Sequence, residues 1–354
     1  MKNPRGSVPL AHRDRVLLAL NRKPVDRVPI AMICSGINPP ARAALEGLLR
    51  RTRGLGVDDY LRPLLDVLEI SPSYTGAPLK VGTDLWGVQR GWVGGGADAY
   101  WEIQSHPLAN AESLDDLASH PWPSPRCFDF EGFPGRIRQI QSGPEGPRAL
   151  MVGNGNIFET SWYMRGFERL LEDLALHEDF AWDLLSRVGA FFIDYFRSVL
   201  EASRGEVDLI FTADDLGGQD GLLMSLPMWE RFIKPHHIRL NHLIHEFGAR
   251  VVYHSDGAVM DAVPGLLDAG IDVLEALQFD ARGMDPRILK SSFGDRLGFA
   301  GGVSVQKTLP FGSIQDVVAE VQERIRVLGE NGGYILGPSH VIQACFEMGN
   351  PKTR

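Results

Sequence analysis

Six segments of the chain share one pattern of apolar and polar positions. Each is a short apolar run that stops abruptly on polar residues: Ala149–Asn154 (ALMVGN), Val207–Asp215 (VDLIFTADD), Ala249–Gly257 (ARVVYHSDG), Ile271–Gln278 (IDVLEALQ), Leu297–Val303 (LGFAGGV) and Gly333–His340 (GYILGPSH). Near-continuous apolar runs mark strands buried on both faces, as in a parallel sheet. Most intervening stretches are long enough for a helix, so the pattern predicts strands alternating with helices. Polar groups gathered at the C-terminal ends of such strands place a site in the loops there.

Helical periodicity predicts a helix over Ala11–Asn21 with Val16, Leu17 and Leu20 on its apolar face. Further helices are expected around Ala41–Arg53 and Val57–Leu68, and over Glu168–Leu176 and Phe180–Ala202. Ser225–Phe247 reads as helix kinked or divided at Pro235, and Ala258–Ala269 as helix again. Ser313–Leu328 places Val317, Val321, Ile325 and Leu328 on one face. Val28–Cys34 (VPIAMIC) reads as a first strand. Residues 81–130 differ: aromatic runs, Gly94–Gly96 and four prolines predict a β-hairpin and loop excursion that covers one end. The expected fold is a single α/β domain over residues 1–354, a (β/α)8 TIM barrel with an N-terminal helical extension and that insertion.

Composition narrows the function. A hydrophobic share of 44% and a charged share of 23% are ordinary for a globular protein with a sizeable core. The net charge of −9 argues against a nucleic-acid partner, because binding a polyanion calls for a basic face. No apolar run approaches the roughly 20 residues of a membrane helix, and no signal peptide is expected. Cys34, Cys127 and Cys345 are widely separated, which excludes a disulfide scaffold and an all-thiolate zinc site and fits a cytoplasmic location.

The sharpest local chemistry is Tyr253-His254-Ser255-Asp256-Gly257. Side chains alternate along a strand, so His254 and Asp256 point to the same side, where they can chelate a divalent ion, act in catalysis or orient a substrate. His340, at the end of another strand, can meet them at the same mouth. Two histidines and a carboxylate suit Zn²⁺ with an open position and equally suit Fe²⁺. Asp214 and Asp215 offer a general acid or base, and neighbours point apart, so Asp215 is expected to face the mouth and Asp214 to add a substrate contact. By the same alternation Glu275 and Gln278 lie on opposite faces, so only one enters the site. Asn154, Glu159, Trp162, Tyr163, Gln278 and Ser339 are candidate substrate contacts, and Arg90, Arg165 and Arg282 are available to hold a carboxylate. Trp86, Trp92, Tyr100 and Trp101 are expected mostly in the core. No GxGxxG dinucleotide fingerprint, P-loop, HExxH or GxSxG is present, so nucleotide binding and serine-hydrolase chemistry lack support.

Five stretches carry a resemblance: HRDRVLLALNRKPVDRVPI, GFERLLEDLA, DDLGGQDGLLMS, HSDG with DAVPGLLDAGID, and GGVSVQKTLPFGS with GGYILGPSH. In order and spacing they resemble the uroporphyrinogen decarboxylase superfamily, which implies a (β/α)8 barrel and a homodimer. The arginine-rich RQAGR motif of authentic decarboxylases is missing, since the corresponding strand reads IAMICSGINPP. The chain is more similar to the cobalamin:coenzyme M methyltransferase branch, whose zinc is bound by a His-x-Cys pair and a later Cys. That resemblance implies His254, Asp256 and His340 as metal ligands, Zn²⁺ or another ion as cofactor, and a methylated corrinoid protein as partner. The expected function is that of a metal-dependent methyltransferase-like enzyme, transferring a methyl group to or from a corrinoid protein, with a small molecule as substrate. The alternatives are a metal-independent decarboxylase or lyase acting on a small acid, with Asp215 or His254 as proton donor, and a non-catalytic binding barrel.

Overall fold

All six apolar segments fold as consecutive strands of one parallel sheet. The computed structural model describes residues 9–34, 36–94 and 100–344. Its strands in chain order are β1 (Val67–Glu69), β2 (Ser73–Tyr74), β3 (Gln89–Val93), β4 (Tyr100–Ser105), β5 (Phe128–Asp129), β6 (Ala149–Asn156), β7 (Leu209–Ala213), β8 (Arg250–His254), β9 (Val273–Glu275), β10 (Gly298–Val303) and β11 (Tyr334–Pro338). β1 and β6 to β11 form a seven-stranded sheet in sequence order, with each neighbouring pair parallel. The segment Pro29–Ala31 joins its two edges. Ala31 N donates to Leu336 O (2.9 Å), Leu336 N to Pro29 O (2.8 Å), and Asp66 N, beside β1, to Ile30 O (2.8 Å). The sheet therefore closes into a TIM-type barrel.

Alternation along the strands sorts side chains between two cores. Leu209 and Phe211 of β7, Val252 of β8, Val273 of β9, Ala300 of β10 and Ile335 of β11 share the inner cluster. Ile210, Val251, Leu274, Phe299 and Tyr334 face outward into the cluster beneath the helices. Val16 and Leu20 of the helix His12–Leu20 join the inner cluster and so plug the barrel's N-terminal end. Beside that plug Asp66, fully buried, accepts from Arg15 Nη1 (2.6 Å), Arg27 Nη1 (2.7 Å) and Ile30 N (2.7 Å).

The helices follow their sequence signals closely. Phe167–Leu176 and Glu178–Ser203 separate at His177, and Leu226–Phe232 is divided from Lys234–Glu246 with Pro235 in the second helix's first turn, where its missing N–H costs nothing. Ser313 and Asp316 form a capping box at the start of Ile314–Leu328.

Four expectations are corrected. Val57–Leu68 is helical only as far as Leu64, after which β1 begins at Val67. Val28–Cys34 is not a full strand but an isolated bridge at Ile30, since Pro29 has no N–H for a ladder and Cys34 turns to φ +47°. Ile325 is 39% exposed, because Arg324 occupies the inner face of that helix, stacked 4.7 Å from the Phe279 ring and donating to Gly302 O (2.8 Å). The excursion does contain a hairpin, β3 with β4, but Trp92 and Trp101 meet edge to face (5.1 Å) on its surface, 58% and 47% exposed, rather than in the core. Trp86 packs against Phe191 (4.8 Å) of the long helix Glu178–Ser203. Cys345 and the side chain of Tyr100 lie outside the described residues.

Candidate functional site

Register sets the site. Ala213 pairs with His254, and His254 with Glu275, so the three strand ends stand level. His254 and Glu275 continue the inward register of Val252 and Val273 and point into the mouth, above the apolar interior. His254 Nδ1 lies 2.6 Å from Glu275 Oε2, and both side chains are buried. Burial lowers the imidazole's proton affinity, but the Glu275 carboxylate outweighs it and lifts the pKa well above the usual histidine range. Burial likewise raises Glu275, with His254 opposing. The contact with Glu275 occupies Nδ1 and leaves Nε2 facing the site, the outer hydrogen bond that orients a metal-ligating histidine.

Around Nε2 stand the other donors. Asp215 Oδ1 is 3.6 Å away and accepts from Asp256 N (2.8 Å), while the side chain remains 37% exposed to the mouth. His340 Nε2 lies 3.6 Å from Asp256 Oδ2. One ligand atom from each of His254, Asp256 and His340 falls within 4.8 Å of the other two, a spacing that a small shift closes onto one ion. Burial raises the Asp256 carboxyl while the two histidines pull it down. Beside Asp256 and His340 opens a cavity of about 200 Å³, also lined by Gln278, Gln306, Ser339 and Gln343.

A second set stands behind the first. Asp214 is fully buried and points away from the mouth, which corrects its expected role as a substrate contact. It takes hydrogen bonds from Glu159 N (2.8 Å) and lies 2.5 Å from His237 Nε2, so it caps and positions the helix Ile157–Arg165. Glu159 accepts from Tyr163 Oη (2.6 Å) and Asn156 Nδ2 (2.9 Å). Burial, then the charges of Asp215 and Asp214, push its pKa from 4.5 up to about 7. A carboxyl raised in the folded state adds stability that is full below pH 4.5 and fades as pH rises through 7. Glu159→Gln, neutral throughout, is expected to melt higher than wild type at pH 8 and alike near pH 4. Equal melting shifts at both pH values would show that Glu159 titrates normally.

The remaining predicted residues divide. Glu275 and Gln278 both enter the site, against the alternation argument, because Ala276 (φ +81°) and Leu277 (φ +55°) break the strand between them. Gln278 Oε1 accepts from Gly257 N (2.9 Å) and its Nε2 donates to Gln219 Oε1 (3.2 Å), which holds the loop after β8. Ser339 lines the cavity but is buried, its N bonded to Val303 O (2.8 Å). Trp162 packs against Tyr163 (4.3 Å), and Asn154 is exposed at the end of β6. Arg165 is no substrate clamp: it is buried against Asp173 (2.7 Å) and the carbonyls of Leu108 and Ala111. Arg90 pairs with Asp84 and stacks 5.0 Å from the Tyr163 ring, and Arg282 donates its backbone N–H to Gln219 O (2.8 Å). Sequence reasoning missed Cys34, whose thiol meets His254 across the barrel's closing seam, and His237 behind Asp214. No local signal marks either: the Cys34 contact depends on the closed sheet, and the His237 contact on the packing of the helix Lys234–Glu246.

A closed parallel barrel with histidines and carboxylates at its strand ends defines an α/β-barrel protein with a polar C-terminal mouth. The family described as Uroporphyrinogen decarboxylase (URO-D) matches residues 136–351, and the chain belongs to that family. A methyltransferase from Methanosarcina mazei shares the fold at a TM-score of 0.61 and 20% identity, over 94% of each chain. A D-psicose 3-epimerase from Clostridium cellulolyticum H10 aligns far more loosely, with a TM-score of 0.36 and 14% identity over 58% of this chain and 70% of that one. No curated protein matches the chain. Among the described residues no helix is long and apolar enough to cross a membrane.

Proposed function

We propose that the mouth of this barrel is a metal-dependent methyl-transfer site, acting between a small molecule and a methylated corrinoid carried by a partner protein. The observation that carries this reading is the convergence of His254, Asp256 and His340, brought from the ends of β8 and β11 to within 4.8 Å of one another. Two imidazoles and a carboxylate suit Zn²⁺, and equally Fe²⁺, with a position left open. A bound ion supplies Lewis acidity that lowers the pKa of an acceptor's S–H or O–H.

The chain's own groups do the rest. Glu275 holds the proton of His254 at Nδ1, so that Nε2 is the nitrogen presented. Asp215, tied at Oδ1 to Asp256 N, keeps Oδ2 as the base for the acceptor's proton. The acceptor gives that proton to Asp215 and gains the methyl group, and the donor leaves with the electron pair of the bond that held the methyl. Tyr163 and Trp162, packed together on the helix that the Asp214–Glu159 contact holds, would wall the mouth on one side.

Metal content by mass spectrometry, on protein purified without chelators, tests the reading. About one zinc or iron per chain is expected, lost in His254→Ala, together with methyl transfer from methylcobalamin that needs the ion. No stoichiometric metal, with CO₂ released from a small acid in the presence of chelator, would replace this reading with a decarboxylase using Asp215 as proton donor. A metal-free protein with neither activity would leave a binding barrel.

A further inference from the structure

His254 belongs to a second group of donors. Cys34 Sγ, a nitrogen of His254 and an oxygen of Glu275 also lie within 4.8 Å of one another. Cys34 comes from the segment that closes the barrel between β11 and β1, far from β8 and β9 in sequence, and its thiol is hydrogen-bonded to His254. Its backbone stands at φ +47°, in the left-handed region that a non-glycine residue enters at a cost of about 1 kcal/mol and that concentrates at functional positions.

Glu275 supplies the independent observation. Its side chain is fully buried, Oε2 meets His254, and Oε1 has no hydrogen-bond partner among the described residues. A buried carboxylate oxygen left unpaired costs roughly 1–3 kcal/mol or more, and a cation relieves it. The thiol and the imidazole, with the Glu275 carboxylate behind the ring, set an S and an N donor together in a largely buried place, a pairing that a borderline ion such as Zn²⁺ accepts.

We propose that Cys34 is a thiolate ligand of the ion bound at His254, a sulfur donor delivered by the barrel's closing segment beside the Glu275 carboxylate. This rests on the metal-site reading above and names the part of the ligand set that lies outside the His254, Asp256 and His340 group. Binding the ion releases the thiol proton to solvent as the sulfur–metal bond forms.

Cobalt substitution tests it without any activity assay. Metal-depleted protein is titrated with Co²⁺, and the near-ultraviolet absorption is compared among wild type, Cys34→Ser, Cys127→Ser and His254→Ala. Wild type and Cys127→Ser are expected to bind about one Co²⁺ per chain with an intense thiolate-to-cobalt charge-transfer band. Cys34→Ser is expected to keep Co²⁺, through the remaining donors, with at least about tenfold weaker affinity and no such band. Co²⁺ that binds and is lost in His254→Ala, but shows no thiolate band or a band that survives Cys34→Ser, overturns the role of Cys34 and leaves the metal site standing. Wild-type protein that takes up neither Co²⁺ nor Zn²⁺ sinks both.

Discussion

Asp66→Ala is expected to destabilise the protein by about 3 kcal/mol or more, the largest stability effect of any single change considered. Asp66 is fully buried at the start of β1 and takes charge-assisted hydrogen bonds from Arg15 and Arg27 together with the backbone N–H of Ile30. Removing the carboxylate leaves the buried Arg15 guanidinium with Asp26 and Leu10 O alone, and strips Ile30 N of its acceptor. Ile30 lies in the segment that joins β11 to β1, so the loss falls on barrel closure. Urea unfolding followed by far-ultraviolet circular dichroism measures it. A midpoint change worth less than about 1 kcal/mol would mean that Asp26 and solvent satisfy Arg15 without help.

The largest expected effect on the site, short of deleting a ligand, is that of Glu275→Gln. Glutamine keeps the size of the side chain and an acceptor oxygen for His254 Nδ1, but loses the negative charge that makes the imidazole a strong base. Zinc affinity, read by competition with a chelating dye, is expected to fall about 10–100-fold, and metal-dependent turnover at limiting zinc with it. Unchanged zinc affinity would show that Glu275 plays no part in presenting His254. Unchanged affinity beside a sharp loss of thermal stability would make it a purely structural buried acid.

Much of the barrel was legible in the chain. Strands β6 to β11 are buried on both faces, so each is a local apolar run that needs no knowledge of its neighbours. The polar residues that end them mark the mouth, because a parallel sheet brings all its C-terminal ends to one side. The long helices declare themselves by period, by Ser313 with Asp316 at a start, and by Pro235 at a division. β1 did not, since three residues after a helical run carry too little pattern to be told from it. Ile325 failed for a different reason: a long arginine, with an aliphatic stem and a carbonyl to bond, took the buried position an isoleucine was expected to fill.

The sequence by itself determined the architecture and the end of the barrel where the candidate groups gather, together with the placing of His254 and Asp256 on one side of a strand end, because these follow from local periodicity. Only the tertiary structure decided the partners. Closure of the sheet sets Cys34 beside His254, and the level register of β8 and β9 sets Glu275 against the imidazole. Two positive φ angles turn Gln278 into the mouth together with Glu275, and the packing of the helix Lys234–Glu246 gives Asp214 to His237 and not to a substrate. A side chain's direction is a local property of its strand, whereas the group it meets depends on register and closure between segments far apart in the chain.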